Sequence, residues 1–232
     1  MKKTPEEMEK VSALILDLDG TLVDSSRAIV ECMNYALARK GLPLTDRRTV
    51  ERNIGTPLEE MFALFTDADS DELVRLYREQ YGRVVLRKTC LLPGVRESLG
   101  TARDRGYRLA LATTKPRYFA EPILRRLGIG SLFDAVAGGE EVSRLKPAPD
   151  LLHLAVARLG CANDEVLYVG DHPVDVAAAK AAEVKIVCVT TGFWSREELE
   201  RLKPLHVAES LREVVALLPD RRSEHVDTSG SY

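Results

Sequence analysis

The apolar run Leu14-Ile15-Leu16 breaks into Asp17-Leu18-Asp19-Gly20, and Val166-Leu167-Tyr168-Val169 breaks into Gly170-Asp171, with Asp175 soon after. Acids delivered at the ends of apolar runs can attack as nucleophiles, carry protons or hold a cation. A third run, Leu109-Ala110-Leu111-Ala112, ends in the hydroxyls of Thr113 and Thr114, and Lys146 stands before Pro147, which disfavours helix at the lysine and keeps its backbone extended. Hydroxyls and an ammonium are donors suited to the oxygens of an anion. If these ends meet, carboxylates about 4 Å apart repel by about 4 kcal/mol per pair at an effective dielectric of about 20, which a marginally stable domain does not tolerate without a cation. Oxygen ligands from Asp17, Asp171 and the main-chain carbonyl of Asp19, completed by water, suit Mg²⁺ rather than the nitrogen and sulfur preference of zinc. Asp175 falls in the first turn of a helix opened by Pro173, so interaction with the helix dipole accounts for it as well as metal chemistry does.

None of these runs alternates polar with apolar, so each reads as a strand covered on both faces, in a parallel sheet sandwiched by helices. Ligands of such sheets bind at the carboxyl ends of the strands. Gly20 supplies the positive φ that a sharp exit from the first strand needs. From Gly94 onward helix and strand signals alternate, through strands at 109–112, 134–137, 166–169 and 186–189 and an edge strand near Val207, to a last helix ending at Leu218. Before Pro93 the pattern is purely helical: Ser25 reads as the cap of a helix stopped by Gly41, a second piece starts at Pro57 and a third near Asp69. A connection of roughly seventy residues is far beyond an ordinary strand-to-helix loop, so it predicts a helical domain set over the acidic turn. The expected division is 1–24 and 92–218 for an α/β core, 25–91 for a helical cap, and 219–232 for a polar, disordered tail. Thr4-Pro5-Glu6-Glu7 carries the pattern of a capping box ahead of the first strand.

With 232 residues, 45% of them hydrophobic, the chain can bury one α/β core and a smaller insertion. A net charge of −3 gives no electrostatic reason to expect nucleic acid or an anionic membrane as a partner. No apolar run reaches membrane-spanning length, acids follow the N-terminal lysines where a signal peptide needs its apolar segment, and Cys32, Cys90, Cys161 and Cys188 are too scattered for a zinc or redox spacing. These features predict a cytoplasmic protein with reduced cysteines. His172 reads as a solvated loop residue outside the metal site, and His153, Phe193 and Trp194 as packing residues.

Asp17-Leu18-Asp19-Gly20-Thr21-Leu22-Val23-Asp24-Ser25 resembles the first motif of the haloacid dehalogenase superfamily, in the branch similar to phosphoglycolate phosphatases, and Thr113, Lys146 and Asp171 with Asp175 follow in the order of its other motifs. The resemblance implies a doubly wound, mainly parallel Rossmann-like core with an inserted α-helical cap. It implies Asp17 as the nucleophile that becomes phosphorylated, Asp19 as general acid and base, and Thr113, Thr114 and Lys146 as phosphate binders. Asp17, Asp19 and Asp171 would hold Mg²⁺, with Asp175 a ligand or a supporting acid. The activity implied is hydrolysis of a small phosphorylated metabolite, such as 2-phosphoglycolate, by a monomer or homodimer.

Thr114 departs from the asparagine usual in that branch and pulls the expectation toward inorganic pyrophosphate. A sugar phosphomutase of the same fold usually has arginine after the cap-loop glycine, where this chain has Gly55-Thr56-Pro57-Leu58. A noncatalytic phospho-acceptor module also uses clustered acids, but its acid pair and acceptor lie on different strands and it has no helical insertion. An acidic leaving group would need a cation from the cap, for which Arg52, Arg87 and Lys88 are the candidates.

Overall fold

The computed structural model describes residues 8–222, so the expected capping box at Thr4 to Glu7 lies outside the described residues. The chain begins with β1 (Ala13–Leu16) and β2 (Val23–Asp24), then α1 (Ser26–Arg39), α2 (Arg47–Arg52), α3 (Leu58–Ala63), α4 (Ser70–Lys88) and β3 (Cys90–Leu91). It continues with α5 (Val95–Asp104), β4 (Arg108–Ala112), α6 (Arg117–Arg126), β5 (Ala135–Ala137) and α7 (Asp150–Leu159). The last third holds β6 (Val166–Gly170), α8 (Pro173–Ala181), β7 (Lys185–Val189), α9 (Arg196–Glu200), β8 (His206–Ala208) and α10 (Leu211–Leu217).

Six strands form one sheet in the order β5-β4-β1-β6-β7-β8, and every neighbouring pair is parallel. β1 is central and fully buried, because its side chains are shared between two cores. Leu14 and Leu16 join the cluster that includes Leu99, Leu124 and Val214 of α5, α6 and α10, whereas Ala13 and Ile15 join Leu152 and Ala178 of α7 and α8 on the opposite face. Burying such side chains stabilises the fold by about 1.5–3 kcal/mol for each Leu or Ile, which is why an unbroken apolar run is selected here. Register then aligns the tips: Leu16 is level with Leu111 of β4 and with Val169 of β6. Asp17, Thr113 and Asp171 therefore leave the sheet at one edge.

Helices α1 to α4 fill the connection between β2 and β3, which pair antiparallel through Val23 with Leu91 and Asp24 with Cys90. Two-residue strands are too short to carry a sequence pattern. Helix α2 is a further element beyond those expected, and its signal is Asp46: the carboxylate accepts from the Thr49 main-chain N–H at 2.8 Å. Ser25 does sit at the N-cap of α1, but its side chain makes no capping bond. The Asp24 carboxylate accepts from the Ser26 N–H at 2.9 Å instead, and the Ser25 hydroxyl donates to Asp19. The start of the expected disordered tail is placed on the core: the Tyr107 hydroxyl donates to the Pro219 carbonyl at 3.0 Å and Arg221 to the Val11 carbonyl at 2.9 Å. Residues 223–232 lie outside the described residues.

Candidate active site

Lys146 is the hub of the buried site. Its ammonium lies 2.7 Å from Asp17 Oδ1, 2.8 Å from Asp175 Oδ1 and 2.9 Å from the Tyr168 hydroxyl, with its side chain fully removed from solvent. Asp17 leaves β1 directly, its N–H on the Val169 carbonyl at 2.9 Å. Asp171 follows β6, and its Oδ1 accepts from the Thr21 hydroxyl at 2.8 Å. Carboxylate oxygens of Asp17, Asp171 and Asp175 all fall within 4.8 Å of one another.

Asp175 is committed on both oxygens. Oδ1 takes Lys146 and Tyr168, and Oδ2 takes the main-chain N–H groups of Asp171 and His172 at 3.1 and 3.0 Å. Its place in the first turn of α8 thus ties the strand tip to the helix and leaves it as fixed negative charge. Three glycines make room for these acids. Cβ atoms added at Gly20 and Gly192 would lie 2.2 and 1.9 Å from Asp171 Oδ2, and one at Gly170 would lie 2.6 Å from Asp175 Cγ. Gly20 also holds φ +83°, as its position at the strand exit requires.

One ammonium does not balance three buried carboxyls, and the titrations divide accordingly. Burial pushes Asp17 up to about 7, against the pull of Lys146. Burial, then Asp175 and Asp17, likewise hold Asp171 well above the usual range. Asp175 is buried too, but Lys146 and Tyr168 bring it below the ordinary carboxylate. Lys146 is raised, because Asp17 and Asp175 outweigh its own burial. Surplus negative charge, presented entirely on oxygen, fits a hard divalent cation such as Mg²⁺.

This arrangement gives a pH dependence. In chelator, folded protein keeps a proton on Asp17 between 3.8 and about 7 that the unfolded chain has already released, so stability falls as pH rises through that window. Adding Mg²⁺ should therefore raise Tm by an increment that grows from about pH 4 to about pH 7, as the cation meets a carboxylate in place of a proton. A Mg²⁺ increment that stays flat with pH in thermal melts would contradict it.

Asp19 stands apart from this cluster. Both of its oxygens lie 2.6 Å from Lys115 Nζ, and Ser25 donates to Oδ1. Lys115 is not among the residues expected at the site, although Lys115-Pro116 repeats the Lys146-Pro147 pattern and follows the strand-end threonines. Thr113 is buried, and its hydroxyl accepts the Lys115 N–H at 3.2 Å. Thr114, one residue on, faces the other way and donates to the Gly55 carbonyl of the helical insertion at 3.2 Å, so its proton is not directed at the acids.

His172, read from sequence as solvated, is only 6% exposed. It caps α8, with Nδ1 accepting the Val174 N–H at 3.1 Å, and Nε2 lies 3.1 Å from the Arg52 carbonyl in the insertion. Burial lowers its pKa. Arg52 is likewise no free cation. Its guanidinium pairs with Glu198 at 2.9 Å and stacks 4.0 Å over the Trp194 ring, which meets His172 edge-on at 5.3 Å. Trp194 and His172 are therefore seam residues between insertion and core. The other two candidate cations, Arg87 and Lys88, line a separate groove beside β3, where Lys88 pairs with Glu31.

Among the described residues no helix is long and apolar enough to cross a membrane. The family described as haloacid dehalogenase-like hydrolase matches residues 14–189. The chain is 35% identical to the Dickeya dadantii protein named "Probable phosphatase IndB", across 87% of this chain and 91% of that one. It is 32% identical to a phosphoglycolate phosphatase of Nitrosococcus oceani, across 94% of this chain and 98% of the relative. A haloacid dehalogenase-like hydrolase from Bacteroides fragilis has a crystal structure that superposes with TM-score 0.84 at 33% identity, over 88% of this chain and 99% of that one. The chain belongs to the haloacid dehalogenase-like hydrolases.

Proposed function

We propose that this protein is a Mg²⁺-dependent phosphatase that hydrolyses a small phosphomonoester through a phosphorylated Asp17. The observation that carries the reading is the separation of the two acids of one motif: Asp17 lies with Lys146 among buried carboxylates, and Asp19 is held apart on Lys115. Asp17 attacks phosphorus as the bond to the leaving oxygen breaks, and Asp19 delivers a proton to that oxygen. Asp19 then takes a proton from the water that attacks the phosphoryl group, which returns Asp17 and releases phosphate. Lys146 and Thr113 face the non-bridging oxygens, where negative charge must be balanced. Asp17, Asp171 and the Asp19 carbonyl would hold Mg²⁺, which would supply charge neutralisation between an anionic nucleophile and an anionic substrate. Asp175 fixes Lys146 and the Asp171 turn.

The insertion acts as a cap, with its 52–56 loop against the strand tips through Arg52, Gly55 and His172. A capped site suits a small substrate in a monomeric or homodimeric cytoplasmic protein, with no nucleic acid or membrane partner. The relatives' names make 2-phosphoglycolate the reference ester of that class, with inorganic pyrophosphate and a sugar phosphate as comparators.

Phosphate release from these three with Mg²⁺ or chelator tests the reading. Turnover should be multiple, which a phospho-acceptor switch does not give, and should stop in chelator. Asp19→Asn should retain the fold and lose about 10²–10⁴-fold in kcat, the usual worth of a positioned acid and base. Undiminished turnover in that variant rejects the proton-transfer role, and full activity in chelator rejects the metal.

A further inference from the structure

The geometry points to a leaving group that is uncharged, with a flat apolar body about one ring in size. This rests on the phosphatase reading and narrows it. A cavity of about 190 Å³ opens beside the acids; Asp19, Thr114 and Lys115 line it, whereas Asp17, Lys146 and Asp171 do not. It is therefore on the side of the acid and base, where the leaving oxygen departs, and not on the side of the nucleophile.

Its walls are apolar, from Ile54, Leu58 and Met61 in the insertion to Phe119 and Leu145 in the core. Aromatic rings form a chain across it: Tyr77 stacks on Tyr81 at 5.2 Å, Tyr81 meets Phe119 edge-on at 5.2 Å, and Phe119 lies 4.6 Å from Tyr118. Tyr118 ends the chain at the mouth with 54% of its surface exposed, presenting a ring to whatever enters. Apolar cavities of about 150 Å³ accept a benzene ring, so this one holds a single ring and its linking carbon.

Charge on the walls does not favour an anion. Lys115 is taken by Asp19 at 2.6 Å. Arg78 has no ion-pair partner among the described residues, but it is exposed and shares the wall with Glu59 and Glu140. The glycolate carboxylate would meet no surplus of positive charge here. Lys115 also stands 5.3 Å from the centre of the Tyr81 ring, so its ammonium is committed on both sides and presents no free charge to the cavity.

The test is kcat/KM with Mg²⁺ for benzyl phosphate, ethyl phosphate and 2-phosphoglycolate. Benzyl and ethyl phosphate both release a primary alcohol, so their ratio reads the pocket more than the chemistry. Benzyl phosphate should exceed each of the others by about tenfold or more, since even one methylene in an apolar pocket is worth about 10-fold or more. Tyr118→Ala should bring the benzyl-to-ethyl ratio toward one. Preference for 2-phosphoglycolate, or equal rates for benzyl and ethyl phosphate, overturns the apolar assignment while leaving a working phosphatase. Release from none of these esters overturns the phosphatase reading itself, and the pocket assignment with it.

Discussion

Asp17→Asn is expected to lose turnover by about 10⁴-fold or more, the scale on which removal of a covalent nucleophile is felt, and to remain folded. The amide keeps an oxygen that can accept from Lys146, which lies 2.7 Å from Oδ1. It also removes one of three acids facing a single buried ammonium. Because burial already drives the native Asp17 up to about 7, neutralising it should cost the metal-free protein nothing at neutral pH, and Tm in chelator should equal or exceed that of the native chain. The Mg²⁺ increment in Tm should shrink, with one anionic oxygen ligand gone. These opposite movements separate a chemical defect from a folding defect. Activity within about tenfold of native, measured as phosphate release over many turnovers, would remove Asp17 from the mechanism.

Lys146→Met should damage both stability and rate. The methionine matches the length of the stem but leaves Asp17, Asp175 and the Tyr168 hydroxyl around a site with no positive charge. Removing one partner of a buried pair costs about 3–5 kcal/mol, against about zero for replacing the whole set with apolar groups. In a chain of this size each kcal/mol moves Tm by about 2–4 °C, so a fall of roughly 6–20 °C is expected in chelator. The loss should be smaller at acid pH, where Asp17 takes up a proton and the uncompensated charge diminishes. With Mg²⁺ present, the variant should still lose about 10²–10³-fold in kcat, as a donor to the transferred phosphoryl oxygens is gone. A Tm change under about 3 °C would show that Lys146 is not the counter-charge the geometry implies.

The sheet and its acids could be read from the sequence because local pattern decides them. An uninterrupted Leu14-Ile15-Leu16 can be buried only by two covered faces, and register then brings Asp17 level with Thr113 and Asp171. What could not be read is which of several equivalent partners a polar side chain chooses. Ser25 is a sound helix cap by type, yet it bonds Asp19 because Asp24 has already satisfied the first turn. Thr21 meets Asp171 across 150 positions and Arg52 meets Glu198 across 146, separations at which no local periodicity carries information. His172 shows the same limit from the other side. A histidine before proline looks solvated until the insertion covers it, and the carbonyl that covers it belongs to Arg52. Lys115 had a legible signal in the repeated Lys-Pro step, but only the fold shows that it serves Asp19.

The chain holds a single tryptophan, and it lies at the seam. Trp194 is half-buried, has the Arg52 guanidinium 4.0 Å above its ring and the His172 imidazole edge-on at 5.3 Å, and its indole N–H has no hydrogen-bond partner among the described residues. A charged group stacked on an indole alters its excited state, and withdrawal of the 52–56 loop would exchange both neighbours for water. The protein therefore contains its own optical gauge of the gap between insertion and core. Withdrawal of the loop would change the intensity and wavelength of the indole's ultraviolet emission, on unlabelled native chain.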